Sequence, residues 1–238
     1  HRFGVEDESN AFESAAHVVE ASFDFGRQTG VTLEPRGIIA HWDPRTEALE
    51  VWQSHQVPWQ MREVYAKQLG LPPQSIRVTT PDVGGAFGLK LHAYADELAA
   101  VAVSKLLGRP VKYIVDRLEA FTSDAHAREA NATCRMAVDL EGRILGIDAV
   151  VDSGFGAYSI HPRGSFGEAM QAAQLIGAPY NVGAFRAVVR GWRQNKAPSG
   201  AYRGVGQRGL QELTRPRCGA STIAARWTQE RVRPSPGL

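Results

Sequence analysis

Pro81–Lys90 reads Pro-Asp-Val-Gly-Gly-Ala-Phe-Gly-Leu-Lys, three glycines around one phenylalanine. That composition points to chemistry done by the backbone. Glycine tolerates positive φ and lets another group approach the main chain. N–H groups exposed just before a helix hold anions such as phosphates or metal-oxo oxygens. The plain alternative is a tight strand-to-helix connection. A second glycine-rich stretch is Ala197–Gln207. Its end, Gly204-Val205-Gly206-Gln207-Arg208-Gly209, spells GxGxxG. A dinucleotide fingerprint needs an apolar strand before those letters and a helix after them. Here a Pro/Ser/Gly loop precedes, and Thr214-Arg215-Pro216 interrupts any helix on the far side. The first turn is no P-loop either, because Gly88-Leu89-Lys90 stands where Gly-Lys-Ser/Thr is required. The seven histidines are scattered, with no HExxH and no carboxylate cluster, so no protein-ligated zinc is expected. There is no GxSxG elbow.

The elements that must position these stretches are set by period and punctuation. Val18–Phe25 alternates and predicts a strand, with Arg27–Gly30 as a turn. Gly37–Trp42 and Leu49–Ser54 predict a hairpin across Asp43-Pro44-Arg45-Thr46-Glu47. Pro58 opens a helix over Trp59–Leu69, with Met61, Val64, Tyr65 and Leu69 as its apolar face and Gly70 as its stop. Ser75–Thr80 predicts a strand into the glycine turn. Ala93–Leu107 predicts a helix out of it, burying Leu98, Val101, Ala102 and Leu106 at helical spacing. Pro110–Val115 is a strand, and Ala130–Asp139 with Ile144–Ser153 forms a long hairpin. Gly154–Gly167 is a loop, Glu168–Ile176 a short helix and Ala184–Gly191 a strand. Strands outnumber helices and several pair through hairpins, so the expected class is α+β.

Composition narrows the rest. A chain of 238 residues with a net charge of +2 gives no electrostatic case for nucleic acid or a membrane surface. No apolar run approaches the roughly 20 residues of a membrane span. The acidic start His1–Glu8 is no signal peptide; it lacks an initiator Met, so residues are expected upstream. Two distant cysteines, Cys134 and Cys218, rule out a disulfide framework or an iron–sulfur cluster held by this chain alone. A reducing cytoplasm is the expected setting, with Cys134 as a small buried hydrophobe. Three segments are expected: a tail over 1–14, a folded domain over 15–207, and an atypical Arg/Pro-rich tail over 208–238 whose end reads as disordered.

Four stretches, in this order, carry a resemblance: Leu33-Glu34-Pro35-Arg36-Gly37, Ser54-His55-Gln56-Val57-Pro58, Val83–Lys90 and Pro198–Gln207. Their order and separation resemble the molybdopterin-binding large subunit of the xanthine dehydrogenase/aldehyde oxidase/carbon monoxide dehydrogenase family. The resemblance covers about residues 15–207 and implies the family's mixed-sheet, cofactor-binding domain, incomplete here. It implies hydroxylation of a carbon centre with oxygen from water, at a molybdenum held by a pterin. The cytosine dinucleotide form of that pterin is one candidate. Protein groups would supply orientation and hydrogen bonds. Gln56 would donate to an oxo ligand, a task suited to a neutral amide. Gly85, Ala86, Phe87 and Gly88 match the cradling turn, with Ala86 in place of a glycine and the N–H groups of Phe87 and Gly88 facing the cofactor. Arg203 matches the arginine of the second loop.

Departures bear on substrate. Leu91 stands where purine-oxidising members carry Glu, Gly204 where the copper-containing carbon monoxide members carry Cys, and Val205 where xanthine-type members carry Phe. Leu91 and Val205 are therefore candidate pocket residues for an aldehyde or N-heterocycle. The resemblance places the family's general base, a Glu, beyond the C-terminus, so no catalytic residue is assigned in this chain and none of its turnover is expected without the rest. It implies an iron–sulfur subunit and an FAD subunit as partners, in a dimer of heterotrimers. The other possibility is a truncated or frameshifted remnant with the fold and no cofactor. On either account, residues 208–238 are expected to pack poorly.

Overall fold

The computed structural model describes residues 2–5, 8–176 and 180–206, with side chains from residue 10 onward. The tail expected over 208–238 lies outside the described residues. In chain order the elements are β1 (Arg2–Val5), α1 (Glu8–Glu13), β2 (His17–Phe25), β3 (Gln28–Thr29), β4 (Gly37–Asp43), β5 (Ala48–Gln53), α2 (Pro58–Leu69), β6 (Ile76–Thr79), α3 (Ala95–Leu107), β7 (Val111–Ile114), α4 (Arg117–Ser123), β8 (His126–Ala127), β9 (Ala130–Val138), β10 (Ile144–Gly156), α5 (Gly167–Leu175) and β11 (Ala184–Arg193). Among the described residues no helix is long and apolar enough to cross a membrane.

Two sheets carry the two main cores. The larger has the order β1-β11-β10-β9-β2, the smaller β6-β5-β4-β7, and β3 pairs with β8 as a short ribbon. In the larger sheet the alternate residues Ile147, Ala149 and Val151 of β10 face Ala169, Ala173 and Ile176 on and after α5. Cys134 and Met136 of β9 join that core, so Cys134 is the buried small hydrophobe expected of it. The opposite face is charged, with Asp152 accepting two bonds from Arg190 at 2.7 and 2.6 Å. In the smaller sheet Ile38, Ala40, Leu49 and Val51 pack against Met61, Val64 and Tyr65 of α2 and Val101 of α3.

Local chemistry sets the element ends. Pro58 begins α2, and Gly70 closes it in the left-handed region at φ 64° with its N–H on the Ala66 carbonyl. Gly108 closes α3 in the same way. Asp116 caps α4, accepting from the N–H groups of Leu118 and Glu119 while the Glu119 side chain reaches back to the Asp116 N–H.

Several expectations need correction. The segment expected as a tail contributes β1, which pairs antiparallel with β11, and α1. Residues 27–30, expected as a turn, include β3. Helix α4 is an addition that hydrophobic period does not announce. The face of α3 is rotated: Glu97, Ala100, Val101 and Ser104 are buried, while Ala102 is exposed and Leu106 is 83 % exposed. Polar partners cause the rotation. Glu97 accepts from Gln53 at 2.8 Å, and the Ser104 hydroxyl takes the Trp42 N–H at 3.0 Å.

Candidate functional site

The glycine turn lies between β6 and α3, and the second loop comes after β11. Sequence spacing does not say that they meet, but they do. The Arg203 N–H donates to the Phe87 carbonyl at 2.8 Å, and the Arg203 guanidinium carbon stands 5.8 Å from the centre of the Phe87 ring. Gln56 closes the third side. Its N–H donates to the Lys90 carbonyl at 2.9 Å, and its side-chain carbonyl accepts from Gly88 N–H at 3.0 Å. Gln56, Phe87, Gly88 and Arg203 therefore form one cluster, with Gly85 and Ala86 in the same turn.

The turn holds its shape at some local cost. Phe87 has φ 51°, a left-handed conformation that is uncommon for a bulky residue and tends to occur where function requires it. Ala86, in place of a glycine, is not among the residues with positive φ, so its methyl group is tolerated. Phe87 remains 43 % exposed and presents its ring rather than burying it. One expectation changes here: the Gly88 N–H is taken by Gln56 and does not face outward. The same bond fixes the Gln56 amide so that its NH₂ points away from the turn.

What remains is a set of donors. Among the described residues, the Phe87 N–H, the Gln56 NH₂ and the Arg203 guanidinium have no hydrogen-bond or ion-pair partner. The carboxylate in this network, Glu34, is engaged through one oxygen. Its Oε2 accepts from Lys90 Nζ at 2.7 Å, Ser54 Oγ at 2.6 Å and Gly84 N–H at 2.8 Å. Burial pushes its carboxyl up, but those bonds outweigh the effect and hold it below the usual carboxylate range. Lys90 is 0 % exposed and also bonds Ser54 at 2.8 Å, so the cation anchors the turn rather than serving the site. Residue type and spacing alone assign no role to Glu34, Ser54 or Lys90. A lysine ending a glycine turn, with a glutamate in the first of the four matching stretches, is the signal that could have found them.

Behind the second loop, Arg128 stacks over Tyr202, its guanidinium carbon 4.4 Å from the ring centre, and its guanidinium donates to the Arg203 carbonyl. Glu168, at the start of α5, accepts from the Arg128 N–H at 2.9 Å and from the Gly206 N–H at 3.5 Å. Burial raises the Glu168 carboxyl, while those two N–H groups draw it back. The two candidate pocket residues differ in setting. Leu91 is 9 % exposed and Val205 is half-buried. Among the described residues no group of three or more His, Cys, Asp or Glu gathers into a metal site.

Two buried histidines support the turn. His55 Nδ1 accepts from Val57 N–H at 3.2 Å, so Nε2 carries the proton and donates to the His92 carbonyl at 3.2 Å. Burial lowers both rings to about 4. A histidine depressed in the fold favours the native state above its ordinary value of 6.5, and that contribution is lost as pH falls toward 4. Glu97, pushed up to about 8 by burial against the pull of Arg36, acts in the opposite sense. At pH 6.5 the unfolded histidines are half protonated, about one proton that the folded rings lack, and the extra proton on folded Glu97 offsets it; near pH 5 both unfolded histidines are almost fully protonated and the net excess approaches one. Stability should therefore be nearly flat at pH 6.5 and fall ever more steeply on acidification, the slope approaching about 1.4 kcal/mol per pH unit, the value of one proton, near pH 5. Urea midpoints measured across that window check the sign, and a flat or rising profile would contradict it.

A family model described as a molybdopterin cofactor-binding domain matches residues 1–211. The chain belongs to that family. It is similar to the nicotine 6-hydroxylase large subunit of Paenarthrobacter nicotinovorans, 36 % identical over 207 residues, which is 86 % of this chain and 25 % of that protein. It is also similar to the carbon monoxide dehydrogenase large chain of Hydrogenophaga pseudoflava, 31 % identical over 81 % of this chain and 24 % of that one. The crystal structure of quinoline 2-oxidoreductase from Pseudomonas putida 86 superposes with a TM-score of 0.84 at 32 % identity, covering 94 % of this chain and 29 % of that chain. The chain thus spans about a quarter of the length of the curated relatives it matches. The α+β expectation and the family assignment both stand.

The molybdopterin family's group fits the residues present. A donor-only rim suits an oxo-bearing, anionic cofactor, because an amide, a backbone N–H and a guanidinium can all point at oxygen without a competing acceptor.

Proposed function

We propose that this chain is the part of a molybdenum hydroxylase subunit that grips the cofactor with two backbone loops. The observation that carries the proposal is the convergence of Gln56, Phe87 and Arg203 into a rim of unpartnered donors. When bound, the molybdenum–molybdopterin group supplies oxidation of an aldehyde or N-heterocycle with water-derived oxygen. This chain's residues bind and orient. The Gln56 NH₂ donates toward an oxygen, the Phe87 N–H and ring form one wall, and Arg203 adds positive charge. The apolar Leu91 and Val205 favour substrates that need no carboxylate contact, and Gly204 offers no thiolate for copper. We assign the electron-accepting iron–sulfur and FAD centres to partner subunits, in a dimer of heterotrimers, and place the assembly in the cytoplasm.

The test is metal and pterin analysis of the purified protein after co-expression with cofactor-synthesis genes. Stoichiometric molybdenum supports the proposal, and its absence favours a family fold without cofactor. Gln56→Glu separates the two ends of the amide. It keeps an acceptor for the Gly88 N–H, removes the outward donor and adds a negative charge. A hydrogen bond to a charged group is worth about 1.5–3 kcal/mol, so molybdenum retention should drop about tenfold or more. Unchanged retention would remove Gln56 from the site. Among the described residues no carboxylate is hydrogen-bonded or ion-paired to Gln56, Phe87, Gly88 or Arg203, and none is assigned as base. Dye-coupled oxidation of an aldehyde by the 238-residue chain should accordingly be undetectable.

A further inference from the structure

His92 sits where the two loops join. Its side chain is 0 % exposed. The Ala201 N–H donates to its Nε2 at 2.9 Å, so Nε2 holds a lone pair and Nδ1 the proton. The approach is close enough to require Gly200, since a Cβ there would lie 2.5 Å from His92 Nε2. Two residues beyond Ala201 is Arg203, whose N–H closes on Phe87. Between residues 201 and 203 the second loop is therefore tied to the glycine-turn side by two N–H donors, and one of their acceptors is an imidazole lone pair.

We propose that His92 is a positioning residue for the cofactor rim: its neutral ring, accepting from Ala201, seats the loop that carries Arg203 against Phe87. The functional meaning rests on the cofactor proposal above, but the seating does not. A charged ring would present N–H to N–H at Ala201 and release the loop. The groups facing the ring make charging unfavourable. Burial is the largest effect; His55 and Arg163 disfavour a second positive charge, while the His161 carbonyl, already bonded by Ala93 N–H at 2.9 Å, pulls the other way. The Tyr94 ring stands edge-on at 6.5 Å.

Hydrogen exchange of the cofactor-free 238-residue chain tests this, reading the Ala201 and Arg203 amides with Val101 of α3 as an internal reference. In wild type, protection at both amides, corrected for intrinsic rate, should fall by at least about tenfold between pH 7 and pH 5, because the open loop takes up a proton that the closed loop refuses. His92→Gln retains a side-chain acceptor. It should stay within about threefold of wild type at pH 7 and lose the acid response. His92→Leu should lose about tenfold protection at both amides while Val101 keeps its own. If His92→Leu does not fold, the comparison of His92→Gln with wild type still decides. Equal acid responses in wild type and His92→Gln would overturn the proposal by assigning the response to His55 or the fold at large. Loss of molybdenum binding with the expected exchange pattern would sink the cofactor proposal and leave this one standing.

Discussion

Gly88→Ala is expected to unseat the second loop and remove the site. Gly88 has φ 100° and ψ −22°, where an L side chain is strained by about 1–3 kcal/mol. Its added Cβ would lie 2.5 Å from the Ala201 oxygen and 2.9 Å from the Ala201 carbon. Both atoms are backbone, so no rotamer change relieves the contact. Either the turn or the second loop must move, and movement breaks the Arg203–Phe87 bond and the Ala201–His92 bond together. At about 1 kcal/mol for each lost hydrogen bond on top of the strain, loop seating should weaken by about 3 kcal/mol, a factor of more than about a hundred. Exchange at the Arg203 amide should accelerate to match, while α2 and β5 keep their protection. Molybdenum content in cofactor-producing cells should fall to background. A Gly88→Ala protein that keeps both the protection and the metal would show that the loops are not held by this contact.

That contact is only partly legible in the sequence. The turn is visible because glycine spacing is local. The hairpins β4–β5 and β9–β10 are visible because their turns carry Pro, Asp or Gly between alternating runs. The parallel pairing of β11 with β10, and of β6 with β5, leaves no such trace, since their partners are joined through intervening helices and loops. Helix α4 does have a local signature, the Asp116-x-x-Glu119 capping box, but its seven residues are too few for a convincing period. The face of α3 escapes for a different reason. Hydrophobic periodicity assumes that buried positions are apolar, and this helix buries Glu97 and Ser104 because Arg36, Gln53 and the Trp42 N–H need partners. The site residues come from resemblance. What resemblance leaves out is their support, the Glu34–Lys90 pair and the two histidines, whose roles exist only once distant segments are packed.

Arg36 shows how much that hidden support matters, and Arg36→Met should be the most destabilising single change in the smaller-sheet half. The guanidinium is buried just before β4. Its Nε donates to Asp124 at 2.6 Å, its two Nη atoms to Asp96 at 2.9 and 2.7 Å, and Glu97 lies 3.2 Å away. The Tyr94 ring centre is 3.7 Å from its Cζ. One cation thus joins the first turn of α3 to the residue that ends α4. Methionine fills the volume but strips the cation from three carboxyl groups, of which Glu97 and Asp124 are buried and Asp96 is partly exposed, and breaking a buried pair in this way costs about 3–5 kcal/mol. The loss should depend on pH in a defined direction. Without Arg36 the folded-state values of these carboxyls rise, so their contribution is present below the unfolded value and is lost as pH increases through the folded one. The gap in urea-unfolding free energy between wild type and Arg36→Met should therefore be widest near pH 7 and shrink toward pH 4. His55 and His92 titrate in both proteins and largely cancel in the difference. Arg36→Lys keeps a charge but lacks the planar fork that reaches all three acids, so it should fall between the two. A gap that stays constant with pH would mean that Arg36 acts through packing on Tyr94 and not through its charge.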